Sequence, residues 1–104
     1  MDWRNANLHG AARIARVCGL YEVTDTRVPG TRFKVKILER AEGDFIALLN
    51  VCLKDRHGSP DGMAGLGGTE IEALEDALKW FMQDLAQRKT LNNDDFEWSD
   101  PLDF

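Results

Sequence analysis

The sequence predicts a small α+β protein, in which a long C-terminal helix covers one face of a three- to four-stranded antiparallel sheet. Three observations carry this prediction. Residues 32–40 alternate apolar and basic side chains, residues 45–53 are apolar on both faces, and residues 69–89 repeat apolar residues at helical spacing. A chain of 104 residues has room for one domain. We assign residues 1–89 to that domain and residues 90–104 to an extended acidic tail.

The first predicted element is a short N-terminal amphipathic helix over residues 7–18. Asn7 suits the N-cap position, and Gly19 can end the helix. The apolar residues between them recur near helical spacing, at Leu8, Ala11, Ile14 and Cys18.

Extended segments follow. Residues 21–27 predict a strand, and residues 28–31 predict the turn after it. The alternation in residues 32–40 gives the next strand one apolar face and one basic face. A tight reversal at residues 42–44 leads into residues 45–53, which predict a central strand because apolar residues on both faces need cover on both sides. One helix cannot cover both faces, so we also expect a homodimer.

The long helix has the clearest start. Residues 54–62 have the composition of a loop, and residues 63–68 predict a short, glycine-rich edge strand. Thr69 and Glu72 have the spacing of a capping box. The apolar stripe that follows consists of Ile71, Leu74, Leu78, Phe81 and Leu85.

The charge is distributed unevenly between these two parts. The net charge is −5, and residues 90–104 contain five acids but no Lys or Arg. The remaining 13 acids balance the 13 basic residues, all of which lie in residues 1–89. The body is therefore neutral and the tail carries the whole excess, so the net charge alone does not identify the partner.

Other features exclude several classes of protein. No segment has the length of a membrane span, and the N-terminus does not have the pattern of a signal peptide. Cys18 and Cys52 have no metal or redox spacing, and His9 and His57 belong to no nucleophile or metal motif. The glycine-rich segment of residues 62–68 does not contain the lysine of a phosphate-binding loop. We expect a cytoplasmic protein with reduced thiols, no enzymatic activity, no cofactor and no metal.

The basic strand face supplies the candidate nucleic-acid-binding residues. Cations at regular spacing on a sheet can follow a phosphate backbone, while aromatic side chains stack on bases. Tyr21 and Trp3 are the candidate stacking residues. Alternatively, the cations form the solvated side of a half-exposed strand. The candidate cations are Arg27, Arg32, Lys34, Lys36, Arg40, Lys54 and Arg56.

The tail supplies the candidate partner-binding residues. It interleaves acids with apolar side chains and has no apolar periodicity, so it can insert aromatic residues into a basic groove on a partner protein. Alternatively, Phe96 and Trp98 pack back onto the body. The candidate residues are Asp94, Asp95, Phe96, Trp98, Asp100, Leu102, Asp103 and Phe104.

The tail resembles the acidic C-terminal tip of bacterial and phage single-stranded DNA-binding proteins. The matching segment is Asp100-Pro101-Leu102-Asp103-Phe104, with Asp103 where that family usually has proline. The resemblance implies a tail that recruits replication or recombination proteins and that competes with DNA for the basic surface of the body.

The body has three further resemblances. Residues 21–88 are similar to the single-stranded-DNA-binding fold of the transcriptional-coactivator and Whirly type, with strands, a polar turn, a glycine-rich strand and a dimerising helix. The predicted order of elements and Leu20-Tyr21-Glu22-Val23 resemble a double-stranded-RNA-binding domain. Residues 68–74 (GTEIEAL) resemble the strand–helix joint of HicB-type antitoxins, a protein-binding family.

Two functional hypotheses follow. The first is a small phage or bacterial protein that binds single-stranded DNA through its basic strand face and recruits partners with its tail. The alternative is an acidic, protein-binding inhibitor or antitoxin-like module, possibly phage-encoded, with no nucleic-acid activity. A contiguous basic face on the folded sheet favours the first, whereas basic side chains neutralised by Glu70, Glu72 and Glu75 favour the second.

Overall fold

The computed structural model describes residues 2–54, 64–88, 90–99 and 104. Short 3-10 turns lie at Trp3–Asn5, Pro29–Thr31 and Asn93–Asp95. The strands are β1 (Ala15–Thr24), β2 (Arg32–Arg40), β3 (Phe45–Leu49), β4 (Val51–Leu53), β5 (Ala64–Gly67) and β6 (Phe96–Trp98), and the α-helix is α1 (Glu70–Gln87).

Four of the strands form an antiparallel sheet in the order β1-β2-β3-β5, and α1 packs across one face of it. Strands β4 and β6 form a separate antiparallel pair. The predicted α+β class, with an antiparallel sheet and one long helix on it, is confirmed. The core lies mainly between the sheet and the helix and includes Phe33, Val35, Ile37, Ala47, Leu49, Ala73, Ala77, Phe81 and Leu85.

The local signals in β2 and α1 predicted these elements well. The odd-numbered residues of β2 are buried from Phe33 to Ile37, as the alternation required. Thr69 is the N-cap of α1, and its hydroxyl accepts a hydrogen bond from the Glu72 amide at 3.1 Å. The reversal between β2 and β3 has Gly43 at φ 97°, a left-handed conformation that glycine adopts without strain.

The buried face of α1 differs from the predicted stripe. Ile71 is 53% exposed, and Ala73 and Ala77 are buried in its place. The reason lies in β5, since a Cβ atom added to Gly65 would lie 2.3 Å from the Ala77 nitrogen and 2.4 Å from the Ala73 oxygen. Only small residues fit where the helix approaches the strand this closely, so α1 turns its alanines towards β5.

The predicted N-terminal helix over residues 7–18 is wrong. His9 and Gly10 both have positive φ, at 50° and 99°, and they form a turn that no α-helix can contain. Residues from Ala15 onwards already belong to β1, which also ends earlier than expected, at Thr24. The four apolar residues that suggested a helix have a helical spacing by coincidence. From Ala15 onwards, pairing with β2 decides the conformation.

The strand predicted over residues 45–53 is divided at Asn50. The Lys34 amide donates to Asn50 Oδ1 at 2.8 Å, and the Asn50 amide donates to the Lys34 oxygen at 3.0 Å. Beyond this point the chain leaves the four-stranded sheet, and β4 pairs with β6 instead. Phe96 in β6 is buried, so the first part of the predicted tail packs against the body.

Candidate interaction surface

The face of the sheet opposite α1, which we call the open face, has two rows of aliphatic side chains. In the first row, register pairs Val17 with Leu38, Leu38 with Ile46, and Ile46 with Leu66, across all four strands. The second row contains the aliphatic residues Leu20, Leu48 and Ala64, with Lys36 between Leu20 and Leu48. We call the aliphatic members of both rows the aliphatic rows.

Three side chains of the aliphatic rows are largely exposed. Val17 and Leu20 are each 59% exposed, and Leu66 is 56% exposed. Val17 and Leu20 share this face because the register of β1 shifts between Val17 and Gly19. Without such a β-bulge, residues separated by three positions would lie on opposite faces of the strand. The bulge therefore adds an aliphatic side chain to the open face.

Four basic residues of β2 also point towards the open face, because they alternate with its buried residues. Arg32 lies 3.7 Å from Glu22, and both side chains are mostly exposed. Arg40 donates to Asp44, with 3.0 Å between Nε and Oδ1, and these hydrogen bonds hold the pKa of Asp44 below its usual value. For Lys34, no carboxylate of the described residues lies within ion-pair distance. The fourth of these residues is Lys36.

Two other predicted cations lie elsewhere, and one cannot be placed. Arg27 donates two hydrogen bonds to Asp25, at 2.9 and 2.7 Å, which lower the pKa of Asp25, and it also reaches Met82 on α1. Lys54 pairs with Glu97 at 3.8 Å. Arg56 lies outside the described residues. The acids that pair with the cations come from neighbouring strands and turns, not from the Glu70, Glu72 and Glu75 face of α1.

A groove of about 650 Å³ lies on the β1–β2 side of the open face. Phe104 forms part of its wall. The Lys36 amine donates a hydrogen bond to the Phe104 main-chain oxygen at 2.7 Å, and it lies 4.6 Å from the centre of the Phe104 ring. This geometry combines a charge-assisted hydrogen bond with a cation–π contact. The lining residues are Val17, Leu20, Lys34, Lys36, Asn50, Trp98, Ser99 and Phe104.

The structure separates the predicted partner-binding residues. Phe96 is 5% exposed and belongs to the core, whereas Trp98 is 40% exposed and lines the groove. Asp95 accepts a hydrogen bond from the Asn92 amide at 2.8 Å and so stabilises its own turn, while Asp94 is exposed. The remaining candidates Asp100, Leu102 and Asp103 lie outside the described residues.

Neither predicted stacking residue lines the groove. Tyr21 lies on the helix side of β1 and donates to Glu70 at 2.9 Å, a hydrogen bond that raises the pKa of the tyrosine. Trp3 lies under the Arg4 guanidinium in the N-terminal 3-10 turn. Sequence reasoning missed the places of Val17 and Leu20, since they depend on the bulge. Gly19 was the one local signal, because glycine inside a strand often marks a bulge.

The described residues hold few other chemical features. Among them, no group of His, Cys, Asp and Glu side chains is arranged to hold a metal ion. In the same part of the chain, no helix is both long enough and apolar enough to cross a membrane. Comparison of the chain with known protein families, with curated protein sequences and with solved structures found no significant match.

Proposed function

We propose that this protein is a non-enzymatic binding module that binds a partner protein on the open face of its sheet. The observation that carries the proposal is the set of aliphatic rows, the first of which crosses all four strands, with Val17, Leu20 and Leu66 largely exposed. Contiguous apolar surface on a soluble protein typically marks an interaction site. The exposed Trp98 at the edge of this surface supports the same conclusion, because tryptophan is enriched at protein interfaces.

The charges support a protein partner over a nucleic acid. Arg27, Arg32, Arg40 and Lys54 each pair with an acid of the chain, and Lys36 contacts Phe104. The net charge of −5 adds a repulsive background for a polyanion. The homodimer expected from the sequence stays a prediction. A second copy of the chain is one protein partner that can cover the aliphatic rows.

Selection from a random peptide library displayed on phage tests this proposal. We expect the full chain to enrich peptides that bind it, and the double variant Leu20→Ser/Leu66→Ser to bind them at least about tenfold more weakly, because central apolar contacts dominate interface energies. Binding of each enriched peptide is measured by biolayer interferometry with the purified variants.

The matched control is the double variant Ile71→Ser/Trp80→Ser, which removes two apolar side chains of similar exposure from α1. This variant should keep full peptide binding. Peptides that bind the open-face variant as well as the natural chain, or a library that yields no binders, would contradict the proposal.

Binding of single-stranded DNA is the second candidate, and it is favoured by the four cations of β2 on the open face. Exposed ion pairs contribute only about 0–1 kcal/mol, so phosphates can replace Glu22 beside Arg32 and Asp44 beside Arg40. Trp98 is then the side chain available for stacking on bases, because it lines the groove beside Lys34 and Lys36.

If this candidate is correct, a labelled oligo-dT should bind in fluorescence anisotropy, and Phe104→Ala should tighten binding by removing the ring that packs against the Lys36 amine. Four phosphate contacts give a slope of log affinity against log salt of about −3, since each contributes about −0.7 for a single strand. Lys36→Ala should weaken binding, whereas Lys79→Ala on α1 is the control. No binding at low salt would exclude this candidate. Full-length variants are preferable to truncation before the tail, because Phe96 belongs to the core.

A further inference from the structure

We infer that the groove on the open face is a receptor site for an acidic peptide segment of a partner protein that presents an aromatic side chain. The inference rests on the proposed function and specifies the chemistry of the partner. Phe104 shows what the groove accepts, since both its ring and its main-chain oxygen contact the amine of Lys36.

The walls of the groove fit such a segment. Val17, Leu20 and Trp98 supply apolar surface, and all three are at least 40% exposed. An aromatic ring on this surface removes apolar area from water on both sides, which favours binding. The groove measures about 650 Å³ with Phe104 in its wall, so a ligand that replaces Phe104 on Lys36 has room for several residues.

The charged residues of the groove favour a ligand of negative charge. Lys34 and Lys36 are the only charged residues that line it in the described part of the chain. Lys34 has no described carboxylate partner, and the partner of Lys36 is an oxygen of Phe104. A segment with carboxylates beside its aromatic residue can pair with both amines, whereas a neutral aromatic segment leaves them without a counter-charge.

A ligand of this chemistry has to displace Phe104 from Lys36. The contact within the chain is favoured by its high effective concentration, so it lowers the apparent affinity of the groove for any similar segment. The full-length variant Phe104→Ala removes the ring that competes for the Lys36 amine, and only the main-chain oxygen of residue 104 stays as a competitor. The substitution removes no core residue, because Phe104 is only half-buried and lies outside the core. That variant is therefore the receptor with which to measure binding.

The probe is the fluorescein-labelled peptide Ser-Asp-Pro-Leu-Asp-Phe, which has the sequence of residues 99–104. In fluorescence anisotropy we expect it to bind the Phe104→Ala protein about fivefold more tightly than the natural chain, since the Phe104 ring no longer competes for the Lys36 amine. Replacing the peptide's Phe by Ala, or Lys36 of the Phe104→Ala protein by Met, should weaken binding by about tenfold or more.

Lys79→Ala in the same Phe104→Ala background is the control for a general loss of positive charge, and it should leave peptide binding unchanged. Absence of binding, or equal binding by the Lys36→Met protein, would overturn the inference. So would equal binding of the peptide without its Phe, since charge alone would then account for the attraction. Library peptides that depend on Leu20 and Leu66 but carry neither acids nor aromatics would overturn this inference while leaving the proposed function intact.

Discussion

Replacing Gly65 by alanine is expected to lower the free energy of unfolding by about 3 kcal/mol. The added methyl group would lie 2.3 Å from the Ala77 nitrogen and 2.4 Å from the Ala73 oxygen, both of which are main-chain atoms of α1. No side-chain rotation can relieve this overlap, so the helix has to move away from β5 and loosen the core. Urea denaturation followed by circular dichroism measures the change.

Gly68→Ala is the matched control for this prediction. A methyl group at Gly68 meets no atom closer than Glu72 Oε2 at 3.5 Å, an ordinary contact. Its stability should stay within about 1 kcal/mol of the natural chain, because a tolerated Gly→Ala change acts mainly on the entropy of the unfolded state. Equal stabilities for the two variants would show that the close approach of α1 to β5 is not needed for the fold.

The second large effect is expected for Phe81→Ala, which should lower the free energy of unfolding by about 3–5 kcal/mol. Phe81 is 0% exposed, and its ring lies 5.1 Å from that of Phe33 in an edge-to-face arrangement. The truncation removes buried apolar area and the aromatic pair, and it leaves a cavity between α1 and β2. Urea denaturation again gives the change in stability.

Trp80→Ala provides the comparison at the adjacent position. Trp80 is larger than Phe81 but 51% exposed, so its removal should cost less than about 1 kcal/mol. A loss of similar size for both variants would mean that α1 packs on the sheet through a different face.

The contacts that stabilise the fold lie mainly on the helix side of the sheet. The open-face residues Leu20 and Leu66 are largely exposed, so their replacement by serine should change stability far less than Phe81→Ala does. Stability and binding can therefore be tested separately in this protein, because the core lies on one face of the sheet and the proposed binding surface lies on the other.

Local patterns in the sequence were sufficient for the elements that build the core. The alternation of β2 needs only the two-residue period of a strand, and it identified both the buried face and the line of cations on the other. The Thr69 cap predicted the start of α1 correctly for a similar reason, since an N-cap side chain accepts hydrogen bonds from main-chain amides only a few residues away. The same kind of local signal failed at residues 7–18, where His9 and Gly10 form a turn and residues 15–18 pair with β2.

The sequence by itself determined the class of fold, the start of the long helix and the basic face of β2, because each depends on neighbouring residues along the chain. Only the tertiary structure decided which residues form the groove. Val17 and Leu20 share a face through a bulge, Asn50 divides a strand by pairing with Lys34, and Phe104 meets Lys36 across 68 positions of sequence. Such contacts depend on strand register and on the closure of long loops, and neither can be predicted from the spacing of apolar and polar residues along the sequence.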